Sequence, residues 1–236
     1  MTELLCLDDS YLTECDAIVQ QADDTHIILD QTVFYPQGGG QPADTGTITR
    51  LSDRKTFTVT LVKKAGGVII HEVGEPGLSN NDRVHCDIDW PRRYKLMRMH
   101  TASHVLAAVF HQDTGALITG NQLGSDTSHV DFSLETYDPD RIAVLVKHAS
   151  DLLAQGHLVS TRMLPRAEAL TIPGIVKLAD VLPPDVKELR IVTVGNVDEQ
   201  ADGGTHVKNT KECGSIKLLS IENKGKGRRR LYFALE

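Results

Sequence analysis

His100 and His104 stand four residues apart in Arg98-Met99-His100-Thr101-Ala102-Ser103-His104, and Asp202-Gly203-Gly204-Thr205-His206 repeats that spacing with a carboxylate and an imidazole. If the first stretch is helical, its 3.6-residue period places both rings on one face, one turn apart. Such a pair can hold a divalent metal, although two ligands rarely retain zinc alone. Asp202 and His206 supply the missing oxygen and nitrogen, both suited to Zn2+ at ~2.0–2.2 Å. A site built this way constrains the whole fold, because two remote segments must close on each other. A plainer alternative stays open: among ten histidines a chance pair is ordinary, and His206 alone could satisfy a turn.

With 236 residues, 40% of them hydrophobic and 24% charged, the chain reads as a globular protein with room for one large domain or two ordinary ones. Apolar runs such as residues 105–110 are too short to span a bilayer. Met1-Thr2-Glu3-Leu4-Leu5 lacks the basic region of a secretory leader, so a cytoplasmic location is expected. Cys6, Cys15, Cys86 and Cys213 are scattered and form no CxxC pair, which reads as reduced thiols, not a disulfide framework. The net charge of −7 is uneven: residues 1–90 carry 15 acids against 6 Lys or Arg, the remainder 17 against 19. Positive side chains gather at Arg92, Arg93, Lys95 and Arg98, and again at Lys224, Lys226, Arg228, Arg229 and Arg230. Patches of this kind can follow phosphates even on an acidic protein. For the first cluster a solvated helix face is an equal reading; the second is read as phosphate-facing.

Up to residue 89, β-branched stretches at 25–29, 46–49, 57–62 and 68–71 alternate with turns such as Lys64-Ala65-Gly66-Gly67 and Ser79-Asn80-Asn81-Asp82. Closely spaced strands without helical period predict a small barrel or sandwich. Gln37-Gly38-Gly39-Gly40-Gln41-Pro42 lacks phosphate-loop spacing and reads as a tight turn. After a break at Asp89-Trp90-Pro91, Pro91 suits a first helical turn capped by Asp89 or Trp90. The spacing predicts a helix over 92–112, with Leu96, Met99, Ser103, Leu106 and Phe110 as its apolar stripe. A second helix is expected over 139–155 between Asp138 and Gly156, then strands at 157–163 and 189–194 and a hairpin of 215–222 with 229–234. The fold class is therefore α+β: an amino-terminal small β-barrel domain, residues 1–89, then an α+β domain, residues 90–236, with an antiparallel sheet and packed helices. Gly120-Asn121-Gln122-Leu123-Gly124-Ser125 with His129-Val130-Asp131-Phe132 is either a solvent loop or a substrate-binding edge where the Gln122 amide offers a donor and an acceptor.

Together these segments resemble a known family, the free-standing alanyl-tRNA editing proteins called AlaX, which are similar to the editing domain of alanyl-tRNA synthetase. The resemblance runs through Phe34-Tyr35-Pro36-Gln37-Gly38-Gly39-Gly40-Gln41-Pro42-Ala43-Asp44-Thr45-Gly46, His100-Thr101-Ala102-Ser103-His104, Asn121-Gln122-Leu123-Gly124-Ser125, Val130-Asp131-Phe132, Gly203-Gly204-Thr205-His206-Val207-Lys208-Asn209-Thr210 and Gly225-Lys226-Gly227-Arg228-Arg229-Arg230. Several motifs in order, across nearly the whole chain, match the medium-length class. The resemblance implies a trans-editing hydrolase that deacylates mischarged tRNA(Ala), chiefly Ser-tRNA(Ala), with Gly-tRNA(Ala) as a second target. It implies one Zn2+ per chain on His100, His104 and His206, and a catalytic site of His100, His104 and Gln122. Gln122 and Thr205 would contact the substrate, while Lys226, Arg228 and Arg229 would meet the tRNA(Ala) acceptor end.

The family's Cys-Gly-Gly-Thr-His begins here with Asp202. Asp202 can coordinate directly, hold a water against the metal, or leave the position to a neighbour; direct coordination is the preferred reading. A carboxylate is a harder donor than a thiolate, so the site is expected to select zinc less sharply. Two other functions stay open, a non-catalytic tRNA-binding module and a deacylase for another mischarged tRNA, and the chain is expected to be a monomer or a dimer. A zinc peptidase is disfavoured, because Thr101, Ala102 and Ser103 fill the gap where its glutamate base belongs.

Overall fold

The computed structural model describes residues 2–135, 138–175, 186–225 and 227–236, which pack as two units, Met1–Tyr94 and Lys95–Glu236. In the first unit six antiparallel strands close into a barrel: β1 (Glu14–Asp23), β2 (His26–Leu29), β3 (Gly46–Arg50), β4 (Thr56–Ala65), β5 (Val68–Val73) and β6 (Arg83–Ile88). Their order around the ladder is β1-β2-β5-β4-β3-β6, with β6 returning to β1. Alternation sends Val19, Ile27, Leu29, Ile48, Phe57 and Val59 inward, each without exposure. The barrel agrees with the sequence reading. Strands β1 and β6 escaped it, because their inward positions include Cys15, Ala17 and Cys86 among charged neighbours.

The glycine-rich stretch is a tight turn, as its spacing implied. Gly39 and Gly40 have φ of 58° and 83°, and Gly38 and Gln41 exchange backbone hydrogen bonds of 3.1 and 2.9 Å. Two successive positive φ values define a hairpin turn that favours glycine at both positions. Just beyond it Asp44, 1% exposed, accepts the Tyr35 N–H at 2.7 Å and the guanidinium of Arg93, itself 0% exposed. Arg93 also donates to the Ser10 and Val33 carbonyls at 3.0 and 2.8 Å. The Arg92–Arg98 cluster is largely engaged within the fold. Arg93 is a buried structural cation, Lys95 pairs with Asp126, and Arg92 and Arg98 donate to the Ala43 and Cys213 carbonyls. Replacing Asp44 by Asn strands the buried guanidinium, and the expected loss is about 3–5 kcal/mol in denaturant titrations, followed through Trp90, the single tryptophan, which packs on the barrel core.

His71 is a further buried polar group of the barrel, at 0% exposure. Its Nδ1–H donates to the Ile27 carbonyl at 3.1 Å, while its Nε2 accepts from the Thr32 hydroxyl at 2.8 Å. The same hydroxyl accepts the Phe34 N–H at 3.2 Å, so the network closes around a neutral ring. Burial pushes the His71 pKa down to about 4. The unfolded chain takes up its proton near pH 6.5, so this stabilisation is complete above that value and declines as the pH falls toward 4. The decline amounts to about 3 kcal/mol. Trp90-monitored unfolding of the wild type and of His71→Gln should show it as a shallower pH slope in the variant.

In the second unit α1 (Trp90–Thr114) begins with Asp89 accepting the Arg92 N–H at 3.1 Å and ends before Gly115 at φ 71°. The unit boundary falls inside this helix, after Tyr94. The predicted stripe is too narrow: every residue from Met99 to Phe110 is buried, Val105, Ala107, Ala108 and Val109 included. A helix enclosed on all sides needs no polar face.

Strands β7 (Ile118–Gln122) and β8 (Ser128–Ser133) replace the open choice of a solvent loop. Then come α2 (Pro139–Ala154), β9 (Val159–Pro165), β10 (Glu188–Val194), β11 (Asp198–Ala201), β12 (Ile216–Asn223) and β13 (Arg228–Leu235). Antiparallel sheets run β12-β13-β8-β7 and β9-β10-β11. Asp138 caps α2 by accepting the Asp140 and Arg141 N–H groups, and Ser150 on α2 accepts the Ile216 N–H at 3.0 Å. Phe110 stacks on Phe132 with centroids 4.5 Å apart, joining helix to sheet. Barrel, antiparallel sheets and helices together make the α+β class. Among the described residues no helix is long and apolar enough to cross a membrane.

Candidate metal centre

Helix α1 carries His100 and His104 on one face, with ring centroids 5.1 Å apart, and His206 sits 4.3 and 4.7 Å from them. All three rings are 2–4% exposed. Asp202 joins them from the loop after β11. Its Oδ1 lies 3.4 Å from His100 Nε2 and 3.9 Å from His104 Nε2, and its Oδ2 lies 3.1 Å from His206 Nε2. One ligand atom from each residue falls within 4.8 Å of all the others. Four donors at ~2.0–2.2 Å from a tetrahedral ion stand about 3.3–3.6 Å apart. The observed spacings bracket that edge, so the donor set fits a zinc-sized cation.

Several neighbours hold the rings with Nε2 facing inward. Asp198, buried on β11, stands 3.0 Å from His104 Nδ1, with the Gln200 carboxamide 2.6 Å from the same atom. The Thr101 hydroxyl lies 3.1 Å from His206 Nδ1 and accepts the Val207 N–H at 3.3 Å. Carboxylate–imidazole pairs of this kind fix the tautomer and raise ligand basicity. The loop itself is braced. Gly204 N–H donates to Asp202 Oδ2 at 2.5 Å, and Arg190 donates to the Asp202 and Gly204 carbonyls at 3.3 and 2.9 Å.

The electrostatics are mutual. Burial works against a charged Asp202, yet His100, then His104 and His206, hold its carboxyl well below the usual range. Burial likewise opposes a charged His104, but Asp198 and Asp202 carry it up to about 9. Burial, aided by the neighbouring His100, keeps His206 well below the ordinary imidazole value. A cation needs an ionised carboxylate and neutral imidazoles, so binding one here would displace the proton that Asp198 and Asp202 favour on His104.

The structure thus brings His100, His104, Asp202 and His206 together, with Thr205 fully buried beside His206. Gln122 is exposed at the end of β7. Arg228 opens β13 and lines a cleft of ≈930 Å³ with Thr119, Ser133 and Arg141. Arg229 staples its own hairpin, donating to Asn223 Oδ1 at 2.9 Å and to the Gly225 carbonyl at 3.3 Å. Lys226 lies outside the described residues. Arg230 is paired two-pronged with Asp131 at 2.7 and 2.8 Å, which removes it from the basic patch.

Sequence reading missed Asp198 and Gln200. Their one trace was a polar pair at i, i+2 in a short strand, which puts both on one face. Substituting Asn for Asp198 should lower Zn2+ affinity by ~10–100-fold, measured by competition with a chromophoric chelator. Unchanged affinity would remove Asp198 from the account.

Comparison with known proteins adds an independent observation. Residues 189–232 match the family model described as "Threonyl and Alanyl tRNA synthetase second additional domain", and residues 7–92 match "tRNA synthetases class II (A)". The whole chain is 47% identical to the alanyl-tRNA editing protein AlaX-M of Methanosarcina barkeri, covering 99% of that protein. It is 44% identical to AlaX-M of Saccharolobus solfataricus, with all of both chains covered. It is 35% identical to the alanine–tRNA ligase of Pyrococcus furiosus, spanning 26% of that longer enzyme.

Proposed function

The chain belongs to the family of AlaX-M alanyl-tRNA editing proteins, and from that premise we propose that it hydrolyses the ester of mischarged tRNA(Ala) in the cytoplasm. Ser-tRNA(Ala) is the chief target and Gly-tRNA(Ala) a second. The observation that carries this reading is the convergence of three buried imidazoles on one carboxylate. In this proposal His100, His104, His206 and Asp202 hold one Zn2+. Zinc, when bound, supplies Lewis-acid polarisation of a carbonyl and acidifies a water.

The chain's own residues do the rest. Asp202, at 15% side-chain exposure, is the most accessible of the four, against 2–4% for the histidines. Substrate therefore approaches on the Asp202 side, where the carboxylate can accept a hydrogen bond from the amino group of the aminoacyl moiety. Thr205 presents the polar wall next to His206, and Gln122 contributes an amide that accepts from and donates to the seryl hydroxyl. A pocket built around a hydroxyl rejects alanine, because its polar groups would be left unpaired. Arg228 and Arg229, with Lys226, meet the phosphates of the acceptor end, a contact that weakens as salt rises. Deacylation belongs to residues 90–236, and the barrel of residues 1–89 is an accessory domain.

In a deacylation assay, the protein should release serine from Ser-tRNA(Ala) and leave Ala-tRNA(Ala) intact. The His100→Ala variant should lose both bound zinc and turnover, and Asp202→Cys should retain zinc where Asp202→Ala does not. Salt-sensitive tRNA binding with no turnover would replace the enzyme with a non-catalytic tRNA-binding module. Release of a different amino acid from its own tRNA would keep the chemistry and change the substrate.

A further inference from the structure

On the barrel, in the unit that carries none of the residues invoked above for editing, Cys15 on β1 and Cys86 on β6 are direct cross-strand partners. Directly opposed residues of antiparallel strands point to the same face, with Cα atoms about 4.5 or 5.5 Å apart depending on the pair type. Both separations lie inside the span of about 4.4–6.8 Å that a disulfide bridges. The two thiols touch: Cys86 donates a hydrogen bond to the Cys15 sulfur, which also faces the Val33 N–H. Their surroundings differ. Cys86 has no exposed surface, whereas Cys15 is half-buried at the margin of the core.

We propose that Cys15 and Cys86 form a thiol–disulfide site that a small-molecule disulfide, of the oxidised-glutathione class, closes into a reversible crosslink between β1 and β6. Cys15 is the attacking group. The hydrogen bond from Cys86 lowers its pKa, against the burial that raises it, while the same bond and burial raise that of Cys86. The Cys15 thiolate attacks one sulfur of the small disulfide, breaks its S–S bond and releases one thiol. The Cys86 sulfur then loses its proton to water, attacks Cys15 Sγ in the mixed disulfide and expels the second thiol. The chain gives up two electrons and two protons, and the small disulfide is reduced to two thiols.

The position gives the crosslink its consequence. Strand β1 is the first of the barrel in sequence and β6 the last, and their ladder is the seam that closes it. A covalent bond at that seam joins the ends of the whole barrel segment, so the unfolded chain loses most of its freedom to separate them. Oxidation should therefore strengthen the barrel and leave the metal centre alone.

The native chain would be incubated with oxidised glutathione, quenched, alkylated and mapped by peptide mass. Accessible thiols in the denatured chain should fall from the four present to two, with Cys15 linked to Cys86. The Trp90 unfolding midpoint should rise, and both changes should reverse with dithiothreitol. Cys15→Ser, at the half-buried position, should abolish the crosslink, and a Cys6→Ala, Cys213→Ala double variant should retain it. Four alkylatable thiols after oxidation, linkage through Cys6 or Cys213, or a bond between two chains would each overturn the proposal. Zinc content measured in parallel separates this result from any failure of the editing assignment.

Discussion

Three imidazoles and a carboxylate can share a dry interior only because each neutralises or hydrogen-bonds another. An unpaired charge there would cost several kcal/mol or shift its pKa until it vanished. The second unit meets that constraint from two directions. Helix α1 delivers two rings with no freedom to turn away, since its middle is packed all round. The loop after β11 delivers Asp202 and His206, and Arg190 pins its backbone from β10. Asp198 and Gln200, on the same face of β11, then lock His104 from behind. The sheet is therefore part of the centre as much as the helix is.

Asp202 does something a thiolate at its position would not. Its Oδ1 faces His100 and His104, while its Oδ2 faces His206 and the Gly204 N–H. One side chain thus addresses all three rings through two atoms. A cysteine offers a single sulfur and leaves the Gly204 amide to find another acceptor. The replacement of the family's cysteine is compatible with a complete donor set, with a harder and less selective character.

The sequence made the four-residue cluster legible because spacing and residue type both survive folding. Two i, i+4 pairs of strong ligands are conspicuous wherever they occur. The outer partners were not legible. Asp198 and Gln200 look like any polar alternation, and only β-pairing reveals which ring they face. Arg93 was misread for the same reason. A basic residue beside three others looks like a phosphate contact until Asp44, nearly fifty positions earlier, is found against it. The barrel was visible from its β-branched strands, while its closing seam was hidden by small and sulfur-bearing side chains at Cys15, Ala17 and Cys86. The expected helix length was close, but periodicity understated its burial, since alanines fill the sides between the large residues.

That enclosure has an evolutionary corollary. From Met99 to Phe110 the helix has no wetted side on which neutral drift can accumulate. Each position is judged by volume on one flank or by chemistry on another. Random mutagenesis would register this as a tract of near-zero tolerance, where Ala107 and Ala108 resist enlargement as firmly as the histidines resist replacement.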